Sequence, residues 1–244
     1  MYSKLILTFI LVCSLFFLPF TNIQASQKAI DLKNWKLTLP TSDPKGPDEI
    51  KQPALNSFQN EWFKTDAEGA IHFKAPISGV TTKRSNYPRS ELREMIKDGK
   101  TNASWSSKKG THTLLLEEAI TALPKTKKHI VVVQIHDAKD DILVVRLEGS
   151  KLWINVNGKN VYLLNASYKL GERFSIKFVV NNGQSQVFYN GSTSPVYALK
   201  KSYSGAYFKA GSYPQSNCSK EEASLCNDQN FGEVVIYQAM VTHQ

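Results

Sequence analysis

The chain has 244 residues, with 30 Lys and Arg against 21 Asp and Glu for a formal charge of +9, and its length fits one all-β domain behind a short leader. Beyond residue 20 no stretch is long and apolar enough to cross a bilayer. The positive excess suits a polyanionic partner, but charge alone does not separate nucleic acid from cell wall or acidic polysaccharide.

Lys4 precedes an almost wholly apolar run, 5–20, followed by Thr21-Asn22-Ile23-Gln24-Ala25-Ser26. A basic start, an apolar stretch and small residues near a cut read as a secretory signal peptide, residues 1–25, cleaved after Ala25. The alternative is a membrane anchor, against which the run is short and interrupted by Pro19. The mature domain, 26–244, is then an exported protein, extracellular or periplasmic, with 29 basic and 21 acidic residues once Lys4 is removed. Cys13 leaves with the leader. Cys218 and Cys226 are the only remaining pair, and oxidising surroundings favour a disulfide closing a short loop over two free thiols.

Trp35, Leu37 and Leu39 alternate in a first strand that ends at Pro40, and 41–52, rich in Pro, Gly and Asp, reads as a loop. Residues 58–73 mix aromatics with a turn at Glu68-Gly69, and 79–95 carry a dense polar pattern. Strand signals then follow at 111–118, 130–136, 142–147, 152–156 and 161–164, with Asn157-Gly158 marking a hairpin between the last two. A second hairpin joins 174–180 to 186–189 through Asn182-Gly183, and 232–241 is the last strand. Helical periodicity, repeats and low-complexity linkers are absent. Many short strands with regularly spaced turns predict one all-β domain, a β-jelly roll sandwich of two antiparallel sheets with a concave groove.

Three strands point polar groups one way. In Ile130-Val131-Val132-Val133-Gln134-Ile135-His136, alternation sends Val131, Val133 and Ile135 to one face and Gln134 and His136 to the other. In Arg89-Ser90-Glu91-Leu92-Arg93 the charged residues share a face with Leu92 behind them. In 207–215, Tyr207, Lys209, Gly211, Tyr213 and Gln215 share a face, and Gly211 is read as leaving open space among larger side chains, as a site needing close approach would. Each stretch alone fits an ordinary amphipathic or edge strand. Together they offer three cations, an amide, an imidazole, a phenol and one carboxylate.

Glycoside hydrolysis normally needs two carboxylates, and the one obvious carboxylate, Glu91, sits between two arginines that keep it ionised. His136 has no neighbouring metal-ligand residues in sequence, so no metal is expected, and no sharp Gly-x-Ser-x-Gly turn offers a serine nucleophile. The set does suit β-elimination from a uronic acid. The C5 proton becomes acidic when the charge growing on the adjacent carboxylate is neutralised, for which Arg89 and Gln134 are suited. His136 and Tyr213 can supply the base and the acid.

The three blocks, Arg-Ser-Glu-Leu-Arg at 89–93, Gln-Ile-His at 134–136 and Tyr-Phe-Lys-Ala-Gly-Ser-Tyr-Pro-Gln at 207–215, resemble the signature blocks of the polysaccharide lyase family 7 alginate lyases, in the family's order and across most of the mature domain. The resemblance implies a jelly roll that binds alginate in its groove and cleaves it, endolytically or exolytically, with no metal or other cofactor. It implies Arg89 and Gln134 as carboxylate neutralisers, Tyr213 as acid, and His136 or Tyr213 as base depending on the uronate. Glu91, Arg93, Lys209 and Gln215 match groove-lining, substrate-binding positions, and Ile135 matches a residue associated with accepting guluronate. The partner implied is an acidic polysaccharide rather than nucleic acid or a membrane, and a monomer is expected.

Two other readings stand beside this one: a non-catalytic polyuronate-binding module on the same fold, and a lyase for another polyuronate such as glucuronan or pectate. His72, His112, His129 and His243 are scattered and read as surface or packing groups. Trp35, Trp62 and Trp153 read as core and Trp105 is left open, with sugar stacking the alternative for any one of the four, and Asn102, Asn165, Asn190 and Asn217 begin glycosylation sequons. Loops 41–52 and 137–141 are expected over the groove. A cationic enzyme acting on a polyanion should show a Michaelis constant that rises with ionic strength, since salt screens the attraction. Steady-state kinetics on the polymer across a salt series check this, and a salt-insensitive constant contradicts it.

Overall fold

The computed structural model describes residues 30–43 and 46–244, so the leader lies outside the described residues. Its strands are β1 (Trp35–Asp43), β2 (Gly46–Ile50), β3 (Phe63–Thr65), β4 (Ile71–Pro76), β5 (Ser90–Ile96), β6 (Thr101–Asn102), β7 (His112–Ala122) and β8 (His129–His136). The second half adds β9 (Asp141–Glu148), β10 (Lys151–Val156), β11 (Lys159–Asn165), β12 (Arg173–Asn181), β13 (Gln184–Tyr189), β14 (Tyr197–Lys200), β15 (Tyr207–Pro214) and β16 (Phe231–His243). They form two antiparallel sheets. The larger runs β11-β10-β9-β8-β15-β5-β1-β2 with β6 beside β5, and the smaller runs β14-β13-β12-β7-β16-β4-β3.

Both Asn-Gly hairpins form as the sequence predicts, because Asn157, Gly158, Asn182 and Gly183 all take positive φ, as a two-residue turn matching the strand twist requires. The expected loop at 41–52 is largely a strand pair instead. β1 continues to Asp43 and pairs with β2 at Leu37–Ile50 and again at Ser42–Pro47. Pro40 falls in the irregular stretch between these paired segments, and Pro47 lies on the sheet edge, where a missing N–H disturbs no second ladder.

Between the sheets, Leu37, Leu92, Ile135 and Phe208 from the larger meet Phe73, Leu116, Phe178 and Val234 from the smaller in one core. Trp35, Trp62 and Trp105 belong to it, whereas Trp153 does not and is half-buried, which corrects its reading as core. Two of the scattered histidines meet at the rim of this core. His243 Nε2 lies 2.6 Å from buried Glu94 Oε1, and its Nδ1 lies 2.7 Å from His112 Nδ1. Glu94 Oε2 also accepts from Trp105 Nε1 at 3.0 Å and from the Phe208 backbone N–H at 2.8 Å, so this carboxylate ties the last strand to β5 and β15.

Along β7, Leu114, Leu116, Glu118 and Ile120 alternate inward, which places a carboxyl group in the core. Neither Glu118 oxygen has a hydrogen-bond partner among the described residues, and burial pushes its pKa from 4.5 to about 8. Between those two values the folded chain keeps a proton that the unfolded chain has released, so stability should fall as pH rises through that window. The expected slope approaches about 1.4 kcal/mol per pH unit. Glu118→Leu should abolish this slope and raise the urea midpoint at alkaline pH above that of the native chain. Parallel slopes for the two proteins would contradict the assignment.

Candidate active site

β15 comes late in the chain yet inserts between β5 and β8, and this makes the three polar stretches adjacent strands. Lys209 pairs with Gln134 on one side and Arg93 on the other, Tyr207 pairs with His136, and Gly211 pairs with Glu91. Three register shifts adjust these strands, the last between Ile135 and His136 against β9. β15 gains a residue over β8 between Ala210 and Tyr213, and β8 gains one over β9 between Val131 and Val133. The second bulge turns Val131 to the outer face, opposite Tyr213 and Arg146, while Val132 and Val133 join the core. Strict alternation had placed Val131 inside. Gly211 is also not open space: a Cβ there would lie 2.6 Å from the Ser90 carbonyl oxygen and 3.0 Å from Phe73, at φ +137. The glycine is required because two backbones approach closely at the bulge.

Glu91 lies at the centre of the cluster, only 1% exposed. One of its oxygens accepts the Gln134 amide N–H, and the other accepts Arg89 Nη1 at 3.0 Å together with Lys209 Nζ. Burial pushes its carboxyl up, but the Lys209 and Arg89 charges and the donated hydrogen bonds outweigh this and hold it below the ordinary carboxylate value. Glu91 therefore sits beneath the groove as an ionised anchor, with both oxygens engaged by its neighbours. Burial, followed by the nearby Arg89 and Arg93 charges, pushes Lys209 down to about 8 against the opposing pull of Glu91.

His136 is half-buried at the end of β8. Its Nδ1 lies 2.5 Å from the Asp137 carbonyl oxygen, which can only accept, so Nδ1 carries the proton and Nε2 keeps a free lone pair. Burial, with the Lys209 and Arg89 charges, pushes the imidazole below its ordinary value and keeps it neutral near pH 7. Tyr207 stacks on it at 5.3 Å between ring centroids and places its hydroxyl 3.1 Å from Nδ1. The Arg93 guanidinium lies 3.8 Å from the Tyr207 ring centroid and bonds Asn102 at 2.7 Å. Arg93 thus braces Tyr207, which braces His136.

Tyr213 lies under the Arg89 guanidinium, 3.7 Å from its ring centroid, and its hydroxyl is 2.8 Å from Ser85 Oγ. Ser85 spends its own proton on the Tyr87 carbonyl at 3.0 Å, so the Tyr213 O–H donates to Ser85. Gln215, just past β15, turns its amide back to the Tyr213 carbonyl at 3.3 Å. Ile135 is fully buried in the core, so its side chain does not reach the groove. The structure thus gathers Arg89, Glu91, Arg93, Gln134, His136, Lys209 and Tyr213 in one place, with Gln215 at the border.

Ser85, Tyr87 and Asn102 lie outside the three blocks; the dense polar segment 79–95 and the sequon at Asn102 contain them, but neither pattern points to a place in the site. Cys218 and Cys226 are joined in a disulfide, and Asn217 beside it donates to the Asn86 carbonyl at 2.8 Å, steadying the segment that carries Ser85. Across the site, Arg84 Nη1 bonds the Ala138 carbonyl at 3.4 Å, so the loop before β5 meets the loop after β8. The expected loop 137–141 is 137–140, because Asp141 begins β9, and it follows His136 directly at the edge of the site. Among the described residues no group of three or more His, Cys, Asp or Glu side chains is arranged to hold a metal ion.

A family model described as alginate lyase matches residues 30–243. Among solved structures, the alginate lyase AlgAT5 from polysaccharide lyase family 7 is 45% identical with a TM-score of 0.82, over 90% of this chain and 98% of that one. The alginate lyase from Corynebacterium sp. is 44% identical with a TM-score of 0.84, again over 90% and 98%. An alginate lyase of Klebsiella pneumoniae is 40% identical over 85 residues, a stretch that spans 33% of this chain and only 28% of that relative's length. With the family matched along nearly the whole described domain and its strands superposing on those of family 7 enzymes, the chain belongs to the polysaccharide lyase family 7 alginate lyases.

Proposed function

We propose that the protein is a secreted alginate lyase that cleaves the mannuronate/guluronate polymer by β-elimination, leaving an unsaturated sugar at the new non-reducing end. The observation that carries the reading is a neutral, tautomer-fixed His136 beside a cluster with more cations than anions: Arg89, Arg93 and Lys209 face the single carboxylate of Glu91. The substrate carboxylate meets Arg89, whose Nε–H is buried without a partner among the described residues, and the Gln134 amide, whose second N–H is free of Glu91. Preorganised donors of this kind are worth roughly 10²–10³ in rate.

With that charge neutralised, His136 Nε2 takes the C5 proton, the C5–H electrons form the C4–C5 double bond, and the C4–O bond breaks. Tyr213 gives its proton to the departing glycosidic oxygen and recovers one from solvent through Ser85. Where the uronate presents C5–H from the other side, Tyr213 is the base once its own proton has passed to solvent through Ser85, and it then returns the abstracted proton to the departing glycosidic oxygen. Guluronate acceptance is part of the proposal, and because Ile135 is buried, any influence it has on this acts through the strand rather than by touching sugar. The apolar leader and the Cys218–Cys226 disulfide support export.

Ultraviolet absorbance followed with polymannuronate and polyguluronate separately tests the reading. A rise with either reports the conjugated double bond, and no rise with either from folded, oxidised protein removes the proposal. His136→Ala and Tyr213→Phe should each lower turnover by roughly 10²–10⁴ without loss of fold. Near-native turnover in either variant would remove that residue's role.

The pH profile follows from the same groups. The base is active when deprotonated, and its pKa lies below the ordinary imidazole value, so the acid limb should fall below pH 6.5. Lys209 acts while charged, so kcat/KM should decline as pH rises through about 8. An acid limb above the ordinary imidazole value would contradict the burial argument.

A further inference from the structure

The groove sheet extends three strands beyond the catalytic centre, and its register leads to a second set of groups that the elimination chemistry does not use. Tyr213 pairs with Val131, Val131 with Arg146, Arg146 with Trp153, and Trp153 with Leu163. These residues therefore form one cross-strand row on the outer face. At a strand spacing of about 4.8 Å, Trp153 lies roughly 14 Å from β15, a distance spanning several sugar rings of a chain laid across the strands. A neighbouring row runs from Gln134 through Val144 and Asn155 to Asn160.

The far end of these rows has its own organisation. Arg146 is ion-paired with Glu148 and bonds Asn160 Oδ1 at 3.2 Å. Asn155 donates to the same Asn160 oxygen at 3.0 Å, and Asn160 donates to Glu148 Oε2 at 3.0 Å. This closed network fixes two amides and a guanidinium in place, and Arg146 Nε remains buried without a partner among the described residues. Beside it, Trp153 is half-buried outside the core, and Leu163, 37% exposed, continues the apolar strip. A rigid aromatic face next to fixed polar groups suits a pyranose ring, which has an apolar C–H face and a hydroxyl rim. Arg146 is paired with Glu148, and Lys151 lies opposite Glu148 on the same face, but the Trp153 ring itself carries no charge, so a contact to its face does not depend on these ions.

We propose that Trp153, with Arg146, Asn155 and Asn160, forms a distal sugar-binding subsite that grips the polyuronate by ring stacking and hydroxyl hydrogen bonds rather than by charge. The proposal rests on the alginate-cleaving reading above. The catalytic cations draw the polymer in by its carboxylates, and the distal subsite holds the ring faces of longer chains, so its contribution depends on chain length and is insensitive to salt.

The test compares kcat/KM on alginate polymer with kcat/KM on purified trimer for the native chain and for Trp153→Leu and Trp153→Phe. Leu keeps apolar cover over the sheet, and Phe keeps an aromatic face. The polymer-to-trimer ratio should fall about fivefold to tenfold for Trp153→Leu and less than about twofold for Trp153→Phe. The fall should be the same at about 0.05 M and about 0.5 M salt, conditions between which screening of ion pairs changes strongly. An unchanged ratio in a Leu variant of native melting temperature overturns the proposal, as do equal losses in the Leu and Phe variants or a loss that vanishes in high salt. A native chain that releases no unsaturated product from polymer or trimer removes the alginate reading and this subsite together, whereas an active native chain with an unchanged variant ratio removes the subsite alone.

Discussion

The catalytic face depends on one buried ion cluster. Glu91 has almost no exposure, and its two oxygens hold Lys209 from β15, Gln134 from β8 and Arg89 from the segment just before β5. Charges taken out of water must be compensated, and removing one partner of a buried pair typically costs about 3–5 kcal/mol because the other is left stranded. Here the compensation is deliberately incomplete. One carboxylate serves two direct cations, with Arg93 nearby, and the surplus positive charge remains for a substrate carboxylate. The same surplus, with burial, keeps His136 neutral and so usable as a base. A single acid residue thus fixes the geometry of the neutralising groups and, through them, the electrostatics felt by the base.

That cluster exists only because β15 threads between β5 and β8, strands far apart in sequence. The bulge at Gly211 lets β15 follow β5 without a shift while slipping by one residue against β8, and it brings Tyr213 beside Arg89. Below the sheet, Glu94 accepts the Phe208 N–H between the two groove residues Tyr207 and Lys209. Above it, Arg93, Tyr207 and His136 stack in sequence. Gln134, His136, Lys209 and Tyr213 are therefore held from below by backbone pairing and from the side by a second side chain, which is what preorganisation requires physically.

Much of this was legible in the chain. Alternation in 89–93, 134–136 and 207–215 placed Arg89, Glu91, Gln134, His136, Lys209 and Tyr213 on one face, and the Asn-Gly pairs marked their hairpins because few other residues tolerate positive φ. What could not be read depended on register. A bulge is one inserted residue with no local signature, so Val131 was placed on the wrong face, whereas Trp153 was taken for core although its alternation with Leu152, Ile154 and Val156 puts it on the outer face. Gly211 signalled close approach, but whether to a ligand or to another strand depends on what lies opposite, here Ser90 and Phe73. Ser85 is 128 residues from Tyr213 and became visible only once the fold brought them within 2.8 Å. Pro-rich composition suggested a loop at 41–52, where position at the sheet edge allowed strands.

The claim that Glu91 sets both geometry and electrostatics is tested most directly by the pH dependence of kcat/KM in Glu91→Gln, with melting temperature followed alongside. Gln preserves shape and removes the charge that raises the Lys209 pKa. The account predicts that kcat/KM falls by roughly 10² or more and that the alkaline limb moves down by at least about one pH unit as Lys209 loses its counter-charge. A folded Glu91→Gln variant with native kcat/KM and an unmoved alkaline limb would show that the neutralising groups are held by something else.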